Sequence, residues 1–277
     1  MATFFFTKLS TLGNNYLIIN LLEQPKSNMD WSQLALKITG ASTGILSDGI
    51  IILTPSDIAD VKMMIYNKDG SRAKTCGNGL RLIGRYLMEI DRFNQDQILV
   101  ETDANISTLT HDKDVITVDL GLAHMLTEPY EPLSLKSDVT KYCKEIETSF
   151  GIWMVDMISM GNPHFIIYTD EDHHTFYEEM GRLSKRYDVN VGMLTVINDH
   201  ELKLTTYERG AGFTGACGTN TAAAVASAVV RRQVLPNEII KVYLPGGILE
   251  VKWDLNDHLL ASGKTTKVCC GTYFDED

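Results

Sequence analysis

The chain has 277 residues, 44% hydrophobic and 22% charged, with few prolines and no low-complexity tract, so it holds material for two domains or one large one. A formal net charge of −11, with the basic residues scattered, argues against a nucleic-acid surface or an anchor on anionic membrane. No apolar run approaches the ~20 residues of a membrane span. The N-terminal apolar patch lacks the basic flank and long apolar core of a signal peptide, so the expected location is the cytoplasm.

In chain order, alternation and β-branched content predict strands at 16–20, 50–53, 61–66, 98–102, 115–120, 165–168, 193–197 and 202–207. A strand pair, 241–244 and 248–253, is expected around Pro245-Gly246-Gly247. Helices are expected at 30–37, 136–150 and 175–187. Two more follow Cys76 and Cys217. The first places Leu80, Ile83 and Leu87 on one face; the second is rich in alanine and ends in Arg231-Arg232, a favourable charge at a helix C-terminus. Strands with a few helices give an α+β (mixed α/β) class.

The chain carries an internal duplication. Tyr66, Asn67, Cys76 and Gly77 match Tyr207, Glu208, Cys217 and Gly218 at one offset, 217 − 76 = 141 residues. Leu12-Gly13-Asn14 is echoed by Met160-Gly161-Asn162 at an offset of 148 (160 − 12). Lags this long are not a solenoid period; they describe two related domains. The expected boundaries are 1–122 for the half carrying Cys76 and 123–264 for the half carrying Cys217.

The cysteines are Cys76, Cys143, Cys217, Cys269 and Cys270, an odd number that suits reduced thiols in a reducing compartment. No CxxC pair or zinc spacing is present, and no metal is expected. His173 and His174, in an acidic stretch, read as solvated surface. Cys143, Cys269 and Cys270 read as ordinary residues, since a lone cysteine is more often a small apolar side chain than a catalyst. Cys76 and Cys217 differ, because each precedes a glycine at the start of a helix.

That placement suits proton transfer. Inverting an amino acid's α-carbon needs a base on one face and an acid on the other. A thiol, with a reference pKa of ~8.5, serves both roles near neutrality. A helix N-terminus favours the thiolate, and its unpaired N–H groups can bind the substrate carboxylate as charge builds there. The expected activity is therefore racemisation or epimerisation without a cofactor. No GxGxxG or other phosphate loop is present.

The chain also resembles the diaminopimelate epimerase family nearly end to end. The likeness is carried in order by FTKLSTLGNNYLII, LSDGIIIL, YNKDGSRAKTCGNG, MGNPHF, NVGM, YERGAG…ACGT and LPGGILEVKW. It implies two pseudo-symmetric domains, each a sheet wrapped around a central helix, with the active site in a cleft between them and a final strand, 265–277, returning to the first domain. It implies interconversion of LL- and meso-diaminopimelate in lysine and peptidoglycan precursor biosynthesis, with Cys76 and Cys217 as the acid/base pair. By the same resemblance Gly77, Asn78, Gly218 and Thr219 hold the reacting carboxylate. Asn14, Asn67, Asn162, Asn190, Glu208 and Arg209 line the substrate pocket, and His164 and Glu208 tune the thiols. Arg209 and Glu208 would meet the distal carboxylate and ammonium of diaminopimelate. A small amino acid is the expected partner, and a homodimer is compatible with the family.

Two departures fall beside the second cysteine: Phe213 replaces an acidic residue usual in its loop, and Asn220 follows Cys217-Gly218-Thr219 where the family usually has glycine. Both bear on substrate choice. The rival readings are a racemase of the same fold acting on another amino acid, and a non-catalytic amino-acid-binding or thiol-redox protein.

Overall fold

The computed structural model describes residues 2–22, 29–90, 96–112, 115–128 and 130–275. The chain divides into two compact units, Met1–Val118 with Gly263–Asp277, and Asp119–Ser262.

The first unit runs β1 (Ala2–Thr11), β2 (Asn14–Asn20), α1 (Trp31–Ile38), β3 (Gly49–Thr54), β4 (Val61–Asn67), β5 (Arg72–Ala73), α2 (Gly77–Glu89), β6 (Gln97–Glu101) and β7 (Ile106–Asp112). It passes into β8 (Val115–Leu122) at the unit boundary. β1 and β2 are antiparallel, β2 and β3 parallel, β3 and β4 antiparallel, β4 and β6 parallel, and β6 and β7 antiparallel. All six residues of β3 are buried, because both faces of the sheet are covered. Ile50 and Ile52 face the α1 side, in a cluster with Leu17, Ile19, Leu34 and Ile38. Ile51 points the other way, toward Gly79 of α2. Asp30 caps α1 by accepting from the Gln33 N–H, as Asp commonly does at a helix start.

The second unit runs β9 (His124–Met125), α3 (Val139–Tyr142), β10 (Cys143–Thr148), β11 (Gly151–Ser159), β12 (Pro163–Tyr168) and a 3₁₀ turn at His173–Phe176. It continues with α4 (Tyr177–Tyr187), β13 (Asn190–Asn198), β14 (Glu201–Glu208), β15 (Gly212–Phe213), α5 (Gly218–Val230), β16 (Ile239–Leu244), β17 (Gly247–Trp253) and β18 (His258–Gly263). The last strand, β19 (Thr266–Asp275), pairs antiparallel with β1, from Ala2↔Asp275 to Ser10↔Thr266.

The duplication extends to hydrogen-bond register. β12 and β13 are parallel, β13 and β14 antiparallel, and β14 and β16 parallel, repeating β2–β3, β3–β4 and β4–β6. Tyr16 pairs with Gly49, and His164 pairs with Asn190 at the same place. α4 packs on one face through Met180 and Leu183 against Phe165, Ile167, Val191 and Met193. The other face of β13 meets α5, every residue of which is buried except Thr219. Each central helix is thus enclosed by its own sheet, as the alanine-rich sequence of α5 demands, since a helix apolar all round must be buried all round.

Three expectations change. The helix predicted at 136–150 is only one turn, α3, after which 143–148 forms β10 and pairs with β11. In β10 only Ile146 is fully buried, amid charged and polar neighbours, the pattern of a half-solvated strand. β1, β7, β11 and β18 are strands that periodicity did not single out; in β1, Phe4 and Phe6 are buried while Phe5 is 68% exposed. His173 is not solvated surface. It is buried, with Nδ1 on Thr205 Oγ1 and Nε2 on Thr195 Oγ1, both at 2.9 Å. Among the described residues, no group of His, Cys, Asp and Glu is gathered for a metal.

Candidate active site

In each unit a cysteine is the N-cap of the central helix. Cys76 has extended backbone angles (φ −156°, ψ 114°), and its carbonyl accepts the first helical bond, from the Leu80 N–H at 2.9 Å. Its Sγ accepts from the Gly79 N–H at 3.4 Å. Cys217 is likewise extended (φ −119°, ψ 112°), and its carbonyl accepts from the Thr221 N–H at 3.0 Å. At Cys76 the amide of residue i+3 therefore donates to sulfur. This is the N-cap bond that Ser or Asp makes with oxygen, here aimed at an ionisable thiol.

Gly77 and Gly218 occupy the first helical position. A methyl group added to Gly218 would meet nothing within 4 Å, so the space before this helix start is open. Thr219 Oγ1 lies 3.5 Å from Cys217 Sγ. Asn78, at the second helical position, is buried and accepts from the Arg81 guanidinium through Oδ1.

Around Cys217 the groups are acidic and apolar. The Cys217 thiol donates to Glu208, whose Oε1 also accepts from Thr214 Oγ1 at 2.5 Å. Burial, with the Glu208 charge adding to it, holds the Cys217 thiol well above the usual cysteine range. Burial also raises the Glu208 carboxyl, against the hydrogen bonds from Thr214 and Cys217 that lower it. Cys217 is therefore the protonated thiol at neutral pH, with its proton directed at Glu208.

His164 is fully buried and bridges two asparagines. Asn162 Oδ1 accepts from Nε2 at 2.9 Å, and Nδ1 accepts from Asn220 Nδ2 at 3.1 Å. This pattern fixes the neutral tautomer with its proton on Nε2. Burial, aided by the charge of Arg209, pushes its pKa down to about 3. His164 reaches Cys217 through Asn220, as a neutral brace. Asn220 is itself buried, and its Oδ1 accepts from Thr206 Oγ1 at 3.1 Å. The non-glycine side chain at position 220 is thus bonded on both sides within the first turn of α5, to partners too distant in sequence for a local pattern to mark.

Asn190 Oδ1 accepts from the Arg209 backbone N–H at 2.9 Å, and its Nδ2 donates to the Pro163 carbonyl at 3.2 Å. The Arg209 guanidinium, 43% exposed, pairs with Asp188 at 2.8 Å. In the first unit, Asn67 donates to Ser71 Oγ at 2.9 Å, and Asn14 follows the Leu12-Gly13 turn. Gly13 and Gly161 share a φ of 85°, so the sequence echo is a repeated left-handed turn, the conformation glycine adopts without strain. Phe213 packs on Tyr177 with centroids 4.0 Å apart and the rings tilted by 32°, and meets Tyr207 edge-on. Aromatic contacts thus fix the loop where an acid was expected. Asn78, Gly77, Arg81 and Cys76 gather at one helix start; Asn162, His164, Asn190, Glu208, Arg209, Gly218 and Thr219 gather around the other.

The family described as "Diaminopimelate epimerase" matches residues 6–126 and 157–268. The chain is 34% identical to a diaminopimelate epimerase of Bacillus pumilus, over 99% of this chain and all of that protein. It is 32% identical to one of a Geobacillus species over the same shares. Among solved structures, a hydroxyproline epimerase from Agrobacterium vitis with bound trans-4-hydroxy-L-proline superposes with a TM-score of 0.67 at 13% identity, covering 98% of this chain and 92% of that one, a likeness of fold. On sequence over almost its whole length, the chain belongs to the diaminopimelate epimerase family.

Proposed function

We propose that the protein interconverts LL- and meso-diaminopimelate by moving the α-proton between Cys76 and Cys217. The observation that carries this reading is the N-cap cysteine repeated at the start of both central helices, with the helix N–H groups beside it, in a member of this family. The Cys76 thiolate takes the α-proton, the negative charge passes into the carboxylate, and the Cys217 thiol returns a proton on the opposite face. Bond breaking and bond making balance: one C–H bond is lost and one gained, and the thiols exchange protonation states. Helix N–H groups and the Asn78 and Thr219 side chains steady the carboxylate, where charge gathers. Glu208 keeps the Cys217 thiol protonated until it is needed. Arg209 exchanges Asp188 for the distal carboxylate of the substrate, a bidentate match. The reaction takes place in the cytoplasm.

The test is proton NMR of LL-diaminopimelate in D₂O with the reduced enzyme and its Cys76→Ala and Cys217→Ala variants. Loss of the α-proton signal with appearance of the meso isomer, abolished in both variants, is expected. Exchange with another amino acid but not with diaminopimelate would overturn the substrate, and Arg209→Ala would then leave turnover unchanged. Exchange with no amino acid would return the protein to a binding or redox role.

A further inference from the structure

We infer that Arg81 is the positioning residue of the first half-site, a buried cation that holds the Asn78 amide in one orientation and answers negative charge at Cys76. This rests on the proposed proton transfer. Arg81 lies five residues after Cys76 and three after Asn78, so it shares a helix face with Asn78. It is fully buried. One amino group donates to Asn78 Oδ1, while Nε and Nη1 are buried with no hydrogen-bond partner among the described residues. Among the described residues no carboxylate pairs with it; the ionisable group acting on it is Cys76. Burial lowers its pKa to about 10, so it stays charged at neutral pH.

A buried guanidinium is costly to keep unless an anion answers its charge. Two anions belong to this helix start in the proposed reaction: the Cys76 thiolate and the α-carboxylate as it takes up charge. The link to Asn78 adds geometry. The bond from Arg81 engages the Asn78 Oδ1 and so sets which way the amide is turned.

The second half carries no such cation. At the 141-residue offset, Arg81 corresponds to Ala222, buried and neutral (81 + 141). There an acid, Glu208, meets the thiol instead. The duplicated sites are thus charged in opposite senses, positive behind Cys76 and negative beside Cys217. This asymmetry assigns the resting thiolate to Cys76 and the resting thiol to Cys217.

The experiment compares Arg81→Met, Arg81→Gln and Arg81→Lys with wild type at pH 7. Carboxamidomethylation of each cysteine by iodoacetamide is followed by peptide mass mapping, alongside kcat and KM for diaminopimelate. Both uncharged variants should slow Cys76 modification about tenfold or more, leave Cys217 unchanged, and lower kcat by a similar factor. Arg81→Lys should restore the Cys76 rate to within about threefold but leave KM raised, because the shorter ammonium cannot reproduce the planar guanidinium's reach to Asn78 Oδ1. Urea midpoints show which variants are folded, and Arg81→Gln serves should Arg81→Met not fold. Wild-type Cys76 modification and unchanged kcat in a folded uncharged variant would reduce Arg81 to packing and overturn the inference. If wild type leaves the diaminopimelate α-proton unexchanged, the functional reading fails by itself. The difference in alkylation between the two cysteines still judges Arg81.

Discussion

Gly192 sits in the middle of β13 with its missing side chain facing α5. A Cβ added there would lie 2.4 Å from Asn220 Oδ1, 3.0 Å from Leu204 Cδ1 and 3.2 Å from Ile166 Cδ1. The first distance is impossible, so Gly192→Ala must push aside Asn220, which is fully buried. Overpacking of this kind costs about 1–3 kcal/mol. Moving Asn220 also strains its bonds to Thr206 and His164, each worth about 1 kcal/mol. The expected loss is about 2–5 kcal/mol, read as a fall in the urea midpoint of about 1 M or more. Turnover should fall too, because Asn220 stands in the first turn of α5, directly after Cys217-Gly218-Thr219, and braces His164. Combining Gly192→Ala with Asn220→Ala removes the obstructing oxygen, so the pair should lose less than the sum of the single losses. A Gly192→Ala midpoint within about 0.2 M of wild type would refute the reasoning, since the space inferred to be closed would then be open.

The remaining predictions concern buried charge. His164 and His173 are held down, to about 3 and about 4, by burial, so the unfolded chain binds protons that the folded chain refuses. Their contribution is fully present above their unfolded pKa of about 6.5 and lost as pH falls toward the folded values; between pH 6.5 and 5, His164 alone should cost about 2 kcal/mol, and a denaturation series of His164→Gln should show a flatter profile. Asp156 is fully buried, accepting from Ser227 Oγ at 2.5 Å and from Arg231 Nε at 2.7 Å. Asp156→Ala should therefore destabilise by about 3–5 kcal/mol in urea titrations, whereas Asp156→Leu with Arg231→Met should lose far less, because no charge is left unpaired.

Much of this was legible in the sequence because its signals were local. Alternation located β4 and β14, the alanine-rich run announced a helix buried on all sides, and the matched Cys-Gly pairs marked both helix starts. Arg81 was not legible for a definite reason. Leu80, Ile83 and Leu87 described one apolar face, which consigns Arg81 to solvent, but the sheet encloses α2 and buries that face as well. The segment 143–148 misled because its charged residues suit a helix in isolation, and only the presence of β11 as a partner decides for a strand. His173 sat among acids in the sequence; its two threonine partners, 22 and 32 residues further along, come from strands folded against it. The Asn162–His164–Asn220 chain likewise spans residues that only the parallel pairing of β12 with β13 and the enclosed helix bring together.

The pairing of β1 with β19 sets an order of assembly. On the ribosome the second unit is complete before the strand that finishes the first has emerged, so β1 must wait for a neighbour made more than 250 residues later (266 − 10 = 256). Until then one edge of β1, with Phe5 68% exposed, offers unpaired backbone groups to any other strand. Contacts of such long sequence separation form slowly, which makes the completion of this edge the late event in synthesis. Nascent chains released before β19 should be recovered with a folded second unit and an aggregation-prone first one.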